Sequence, residues 1–410
     1  MARASAGLPS GTRLTDYISL GVVARTVPRS VVERVLAETG RTSLRQRDLP
    51  AHVVVYYVIA LALYMQSSCS EVLRCLLESL QWLSCKGVGV RVTGTSGISQ
   101  ARTRVGSDPL MRLYDEIAQP LANQATKGAW YRKWRLVAMD GSSLCVADTS
   151  ANEEAYGRPG ASRGKSGYPQ IRFVALAETG THATFAVRMA AYAVDEITLA
   201  KLVIGRLTAG MLCLADRFFP GYSLWTQAAA TGADLLWRVR SNARLPCMQR
   251  LSDGSYLSAI YRDTADQRRG VNGIAVRVIE YQLPGVPDAQ PLYRLITTIL
   301  DPEVAPAEEL AAVYHERWES ETLLDEVKTH LRGARIVLRS KTPDLVRQEF
   351  YALLLAHYVV RRLMHDAALQ EDIDPDALSF VHAVRVVRRR LQTFVGFPPS
   401  GPGAMVPGDR

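Results

Sequence analysis

The chain has 410 residues, 48% of them hydrophobic and 22% charged, which is enough for two or three folded domains and excludes a disordered chain. A formal charge of +9 favours a polyanionic partner, with nucleic acid ahead of a membrane surface. The six cysteines (Cys69, Cys75, Cys85, Cys145, Cys213, Cys247) form no Cys-x-x-Cys pair, which argues against a zinc ribbon or redox motif and for reduced thiols in a reducing cytosol.

In chain order, residues 1–90 read as an all-helical N-terminal domain. The first residues, Met-Ala-Arg-Ala-Ser-Ala-Gly-Leu-Pro, have no apolar core of signal-peptide type. Val31–Thr39 is a short amphipathic set closed by Gly40, and Pro50 opens a helix that runs to Met65. Its greasy run from Val53 is too short to span a bilayer and reads as a buried helix. Gly87 to Gly97, rich in Gly, Thr and Ser, reads as a loop. Residues 91–133 are expected to form a helical linker or DNA-contact region, with helices starting at Ser99 and Asp108. Arg102 and Arg104 there are candidates to touch a DNA backbone.

At Trp134 the pattern changes. Trp134–Asp140 and Met211–Asp216 are short apolar runs, each ending in an acid. Tyr168–Ala177 and Ala183–Ala191 have strand character around the turn signal Glu178-Thr-Gly-Thr. Val194–Leu207 and Gly221–Thr231 read as helices, and Leu235–Arg240 and Leu292–Ile299 as strands. Residues 134–240 and 291–340 form the two parts of an α/β core, and residues 241–290 a β-rich insertion. Residues 341–410 form C-terminal helices and a loose tail. Trp237 lies inside a strand and reads as core.

The densest chemistry lies in Tyr314-His-Glu-Arg317-Trp-Glu-Ser-Glu321-Thr-Leu-Leu-Asp-Glu-Val-Lys328. On one helix Tyr314, Arg317, Glu321 and Lys328 share an arc of roughly 60°, beside an apolar arc of Leu323, Leu324, Val327 and Leu331. A carboxylate between two cations and a phenol suits a place where a metal ion meets a phosphate backbone. Taken alone, the stretch reads equally well as a surface helix with ordinary ion pairs. Asp140 and Asp216 both end buried strands, at the sheet edge where α/β sites form. Taken singly, Asp140 reads as well as a turn former before Gly141, and Asp216 as a helix cap or partner of Arg217. Three acids without nitrogen or sulfur ligands make an oxygen-only site for hard cations.

With these residues in place, the chain resembles the DDE-class transposases, and more narrowly the bacterial insertion-sequence-four family. That family's signature is Tyr, two residues, Arg, three residues, Glu, six residues, Lys, which Tyr314, Arg317, Glu321 and Lys328 match without a gap. Met139-Asp140-Gly141-Ser142 resembles the segment around the family's first acid, and Ala215-Asp216-Arg217-Phe218 that around its second. Leu14–Leu83 is similar to the helical N-terminal domain of one branch. The resemblance implies a ribonuclease-H-like mixed-sheet core with a β insertion subdomain, preceded by an all-α domain and followed by C-terminal helices. It implies cut-and-paste transposition by phosphodiester hydrolysis and strand transfer. Asp140, Asp216 and Glu321 would hold two Mg²⁺ ions, with Mn²⁺ able to substitute. Tyr314, Arg317 and Lys328 would grip phosphates, with Arg217 and the basic loop Arg163-Gly-Lys165 as further candidates for DNA contact.

The partners implied are the terminal inverted repeats of the element, target DNA and a second copy of the chain in the DNA complex, with no membrane. The expected place is a bacterial cytoplasm, at the nucleoid. Two other readings stay open on the residues alone: an idle, domesticated DNA-binding regulator, and a ribonuclease-H-like nuclease without strand transfer. A phosphate loop at Gly164-Lys-Ser is rejected, because Pro159 stands where its leading glycine is required. Ser142 and Ser143 have no helper histidine, and the seven histidines show no metal spacing.

Overall fold

The structure is a computed structural model. It describes residues 20–43, 49–65, 67–74, 76, 95–161, 164–165, 167–283, 291–315, 317, 325–331 and 337–389. The helices are α1 (Leu20–Thr26), α2 (Arg29–Glu38), α3 (Ala51–Leu63), α4 (Thr95–Val105), α5 (Asp108–Ile117), α6 (Ser150–Tyr156), α7 (Glu196–Val203), α8 (Tyr222–Ala229), α9 (Thr264–Arg269), α10 (Ala307–His315), α11 (Pro343–Glu371) and α12 (Phe380–Arg389). The main sheet includes β1 (Trp130–Tyr131), β2 (Trp134–Val146), β5 (Gln170–Glu178), β6 (Thr184–Ala191), β7 (Met211–Ala215), β8 (Asp234–Arg238), β9 (Gln249–Arg250), β10 (Tyr256–Ile260), β11 (Ile274–Tyr281) and β12 (Tyr293–Thr297). The short strands β3 (Gly160–Ala161) and β4 (Gly164–Lys165) form a separate pair. The chain divides into two compact units, residues 1–117 with 326–364 and 378–410, and residues 118–325 with 365–377.

The first unit is helical. Every residue of α3 except His52 is buried, as expected of an apolar run without an amphipathic face. The Tyr56 hydroxyl donates to the Val27 carbonyl at 2.7 Å. Arg102, a candidate for DNA contact on sequence grounds, is buried instead. Its guanidinium donates to Gln348 and to Ser340, both at 2.9 Å. Gln348 in turn donates to the Arg102 and Gly106 carbonyls at 3.0 and 2.7 Å. Its charge is used inside the fold, because helical spacing cannot tell a long buried donor from an exposed one. On α12, Val384 and Val387 are buried and Arg385 is exposed.

The second unit is built on a mixed sheet with the order β6-β5-β2-β7-β8-β12-β11-β10-β9, and β1 pairs with β2. β2, β7 and β8 run parallel to one another, and the other neighbours in that order are antiparallel. Side chains alternate across the sheet, and both faces are covered. Val137, Met139, Cys213, Leu235 and Trp237 pack against Leu199, Ala200 and Val203 of α7 and Leu224 and Trp225 of α8. Leu136, Leu212, Leu214 and Leu236 pack on the other side with Leu310 and Tyr314 of α10. Two covered faces explain the unbroken apolar run Met211-Leu-Cys-Leu-Ala. Trp237 is core, edge-on to Trp225 with ring centres 5.1 Å apart.

Three differences from the expectations have physical reasons. First, Asp140 does not end its strand. β2 continues to Val146 because β5 pairs with it antiparallel through Cys145, beyond the point where its parallel partner β7 stops. Second, the strands within residues 241–290 join the main sheet edge to edge, and Asp263 caps a helix between them, accepting from the Ala265 and Asp266 amides at 3.0 and 2.9 Å. Third, the signature stretch is not one even helix. α10 ends at His315, Arg317 sits in a turn, and Glu326–His330 is a π-helical turn.

The β5–β6 turn packs directly on backbone. A Cβ on Gly180 would lie 2.5 Å from the Gly128 carbonyl carbon and 2.6 Å from the Ala129 nitrogen. Gly180→Ala is expected to destabilise the protein by about 1–3 kcal/mol, since neither neighbour can rotate away. Urea unfolding that leaves the midpoint unchanged would contradict that close contact.

Candidate active site

The register of two strands brings the two aspartates together. Met139 of β2 pairs with Ala215 of β7, and this is the last parallel pair between them. Asp140 and Asp216 each follow next in the chain, so they stand side by side where the ladder opens. Alternation places Asp140 on the same face as Leu136, the face that α10 covers. The Asp140 carboxylate accepts from the Gly141 amide at 2.8 Å, and that of Asp216 from the Phe218 amide at 2.9 Å. Local backbone thus orients both acids and leaves lone pairs for a further partner.

Tyr314 and Arg317 reach the same place. The Tyr314 hydroxyl donates to the Ala215 carbonyl at 3.3 Å, immediately before Asp216. Burial pushes its pKa up to about 12, so the phenol is a donor at working pH and not a base. Arg317 is buried, and its guanidinium lies 3.8 Å from the Asp140 carboxylate. It also lies 5.9 Å from the Tyr314 ring centre.

Beside Asp216 a cavity of about 580 Å³ opens, lined among others by Arg217, Phe218, Tyr222, Arg240, Tyr261 and Arg262. Phe218 is 53% exposed, and the guanidinium groups of Arg217 and Arg240 lie 5.5 and 5.8 Å from its ring centre. An exposed aromatic between two cations offers both stacking and charge to an anionic, ring-bearing ligand.

Of the other residues singled out from the sequence, Glu321 and Arg163 lie outside the described residues. Lys165 lies in β4. Lys328 is half-buried in the π-helical turn of the first unit. That turn is anchored by Glu326, which sequence reasoning passed over. The Glu326 carboxylate accepts from the Arg361 Nε at 2.9 Å and pairs with the His357 Nε2 at 3.0 Å, all three side chains being buried. His315 packs edge-on against Tyr281 with ring centres 5.7 Å apart.

Glu196, the first residue of α7, was also missed. Burial pushes its pKa up, the neighbouring Arg172 charge pulls it back, and Asp140 and Asp216 push it up again. Its only sequence signal is Asp195-Glu196 at a helix start, which is ordinary N-terminal charge.

Asp140 and Asp216 present only carboxylate oxygens, the donor chemistry that a hard divalent cation takes. Among the described residues, no three His, Cys, Asp or Glu side chains converge closely enough to hold an ion unaided. Such a cation would therefore take further ligands from Glu321, from water or from substrate.

Residues 132–359 match the family model described as Transposase DDE domain, and residues 17–115 match Insertion element 4 transposase N-terminal. The chain belongs to the DDE transposases, in the insertion element 4 family. It is 28% identical over 392 residues to Transposase InsG for insertion sequence element IS4 of Escherichia coli (strain K12), covering 95% of this chain and 84% of that protein. It is 27% identical over 222 residues to Putative transposase InsZ of the same organism, covering 53% of this chain and 71% of that protein. A solved piggyBac transposase synaptic complex with hairpin DNA is 11% identical, with a TM-score of 0.43 over 93% of this chain and 79% of that one, a likeness too low to carry an argument. The family makes the chain a transposase, a DNA-cleaving enzyme of the DDE type, with DNA as its partner and divalent metal ions as the usual cofactor. The mixed sheet with helices on both faces agrees with the ribonuclease-H-like class of the core. Among the described residues, no helix is long and apolar enough to cross a membrane.

Proposed function

We propose that the chain moves an insertion sequence by cut-and-paste, with Asp140, Asp216 and Glu321 as the acids that hold two Mg²⁺ ions, or Mn²⁺ in their place. The observation that carries this reading is the strand register, which sets Asp140 beside Asp216 under Tyr314 and Arg317. When bound, the ions lower the pKa of the attacking water and neutralise charge that develops on the scissile phosphate. Arg317, beside Asp140 and the Tyr314 ring, brings a planar guanidinium fork suited to phosphate oxygens. Lys328, Arg217 and the basic loop of Arg163 and Lys165 add cations along the strand, where each neutralised phosphate strengthens binding at low salt. Arg217, Phe218 and Arg240 suit a nucleotide next to the cut. Cleavage at the element end leaves a 3′-hydroxyl, which then attacks target DNA. Coordinated cutting needs two ends held at once, so a homodimer on DNA, working at the nucleoid in the cytoplasm, completes the proposal.

The test is an assay of the full chain on labelled DNA carrying its terminal inverted repeats, with and without Mg²⁺, followed by addition of target DNA. The expected result is metal-dependent cutting at the repeat ends and joining of the 3′-ends to target. Binding without cutting would leave an idle regulator, and cutting without joining a plain nuclease.

A further inference from the structure

A third acid of the second unit comes from the opposite face of the sheet and lies within electrostatic range of the two aspartates. Glu196 opens α7, whose Leu199, Ala200 and Val203 pack on the face that carries Val137 and Met139. Gly141 continues that face by alternation, one residue beyond Asp140. A Cβ at position 141 would lie 2.6 Å from the Glu196 carboxyl carbon and 2.7 Å from one of its oxygens. The missing side chain therefore makes the space that the Glu196 carboxylate fills. A side chain at 141 would force that carboxylate to shift from its present position.

Among the described residues, Arg172 is the cation that faces this carboxylate. Arg172 Nε lies 4.0 Å from a Glu196 oxygen, too long for a tight ion pair. Arg172 is itself fixed, donating to the Val194 carbonyl at 3.1 Å and lying 4.5 Å from the Tyr192 ring centre. The arrangement holds Glu196 in place without neutralising it closely. An acid that needed only a structural partner would be expected to close on the guanidinium with paired hydrogen bonds. Glu196 instead stays within electrostatic range of both aspartates.

Resting on the metal-holding reading above, we infer that Glu196 is a fourth carboxylate of the metal centre, a positioning residue that acts through water from outside the direct ligand set. The described acids do not converge closely enough for three of them to share one ion directly. Mg²⁺ keeps several of its waters in such sites, and those waters need oriented acceptors. Outer acceptors of this kind typically contribute 10–100-fold to metal affinity.

The test uses the full chain on DNA carrying its element ends, with Mn²⁺ as probe. Mn²⁺ binding is followed by electron paramagnetic resonance against DNA alone, and cleavage rate is measured against Mn²⁺ concentration. Glu196→Gln, close in shape and without charge, is expected to weaken Mn²⁺ binding about 10–100-fold. It should move the cleavage curve to higher Mn²⁺ by a similar factor, with much of the rate regained at saturation. Gly141→Ala, which keeps every acid but fills the space under Glu196, should shift both curves in the same direction. A purely structural role would lower thermal stability and leave Mn²⁺ affinity where it was. Binding and cleavage curves of Glu196→Gln that superimpose on wild type would overturn the inference while leaving the aspartate reading standing. A wild-type chain that cleaves without divalent metal would overturn both.

Discussion

Asp140→Asn and Asp216→Asn are each expected to lower the rate of cleavage at the element ends by at least about a thousandfold, while binding to the same DNA falls by less than about tenfold. The amide keeps the shape of the carboxylate and its backbone hydrogen bond, from Gly141 at 2.8 Å in one case and from Phe218 at 2.9 Å in the other. What it removes is the negative charge that a divalent cation requires. A thousandfold loss corresponds to about 4 kcal/mol of transition-state stabilisation, within the several kcal/mol that a metal centre supplies. Glu321→Gln belongs to the same class and should behave alike. Single-turnover cleavage of end-labelled DNA beside a gel-shift titration checks it. Should either aspartate variant retain more than a tenth of the wild-type rate, the assignment of that residue to the metal centre is lost.

Arg277→Met should destabilise the second unit by about 3–5 kcal/mol, the effect of breaking a buried charge pair from one side. Arg277 is completely buried in β11. It donates to the Ser255 hydroxyl at 2.8 Å, to the Ala305 carbonyl at 2.7 Å and to the Asp253 carboxylate. Asp253 also accepts from the amide of Ala307 at 2.8 Å, so the pair fixes the first residue of α10. That helix carries Tyr314. Loss of Arg277 therefore reaches the site through the position of α10 and should lower cleavage as well as stability. Removing both charges, in Arg277→Met with Asp253→Ser, should restore part of the lost stability, because no carboxylate is then left without its cation. Urea unfolding followed by tryptophan fluorescence measures both variants.

The same pair gives the sign of an acid effect. Partial burial pushes Asp253 up, but hydrogen bonds from Ser255 and Ala307 and the Arg277 charge outweigh it and hold its pKa below the ordinary value. The unfolded chain then binds a proton at higher pH than the folded one. The contribution to stability is present above the ordinary carboxylate pKa of about 4 and disappears as the pH falls through the lower, folded value. Arg277→Met should flatten that acid limb.

Much of the architecture was legible from periodicity. The apolar run ending at Asp216 read as a strand, and residues 168–177 and 183–191 read as strands around the turn signal Glu178-Thr-Gly-Thr. The extent of β2 was not legible, because a strand continues for as long as a partner continues, and β5 comes from residues some thirty positions away. The fate of Arg102 was hidden for a similar reason. A guanidinium on a basic stretch looks the same to a pattern reader whether it faces DNA or the Gln348 and Ser340 side chains.

The residue order by itself determined the family, since Tyr314, Arg317, Glu321 and Lys328 are a spacing that survives without any knowledge of distance. It also pointed to oxygen donors beside cations as the chemistry of the candidate site. Only the tertiary structure decided that Asp140 and Asp216 are neighbours and that Glu196 and Arg317 stand beside them. Those contacts depend on strand register and on the packing of α7 and α10. Both are settled by burying two apolar faces at once, a condition imposed by the whole sheet and not by any local run of residues.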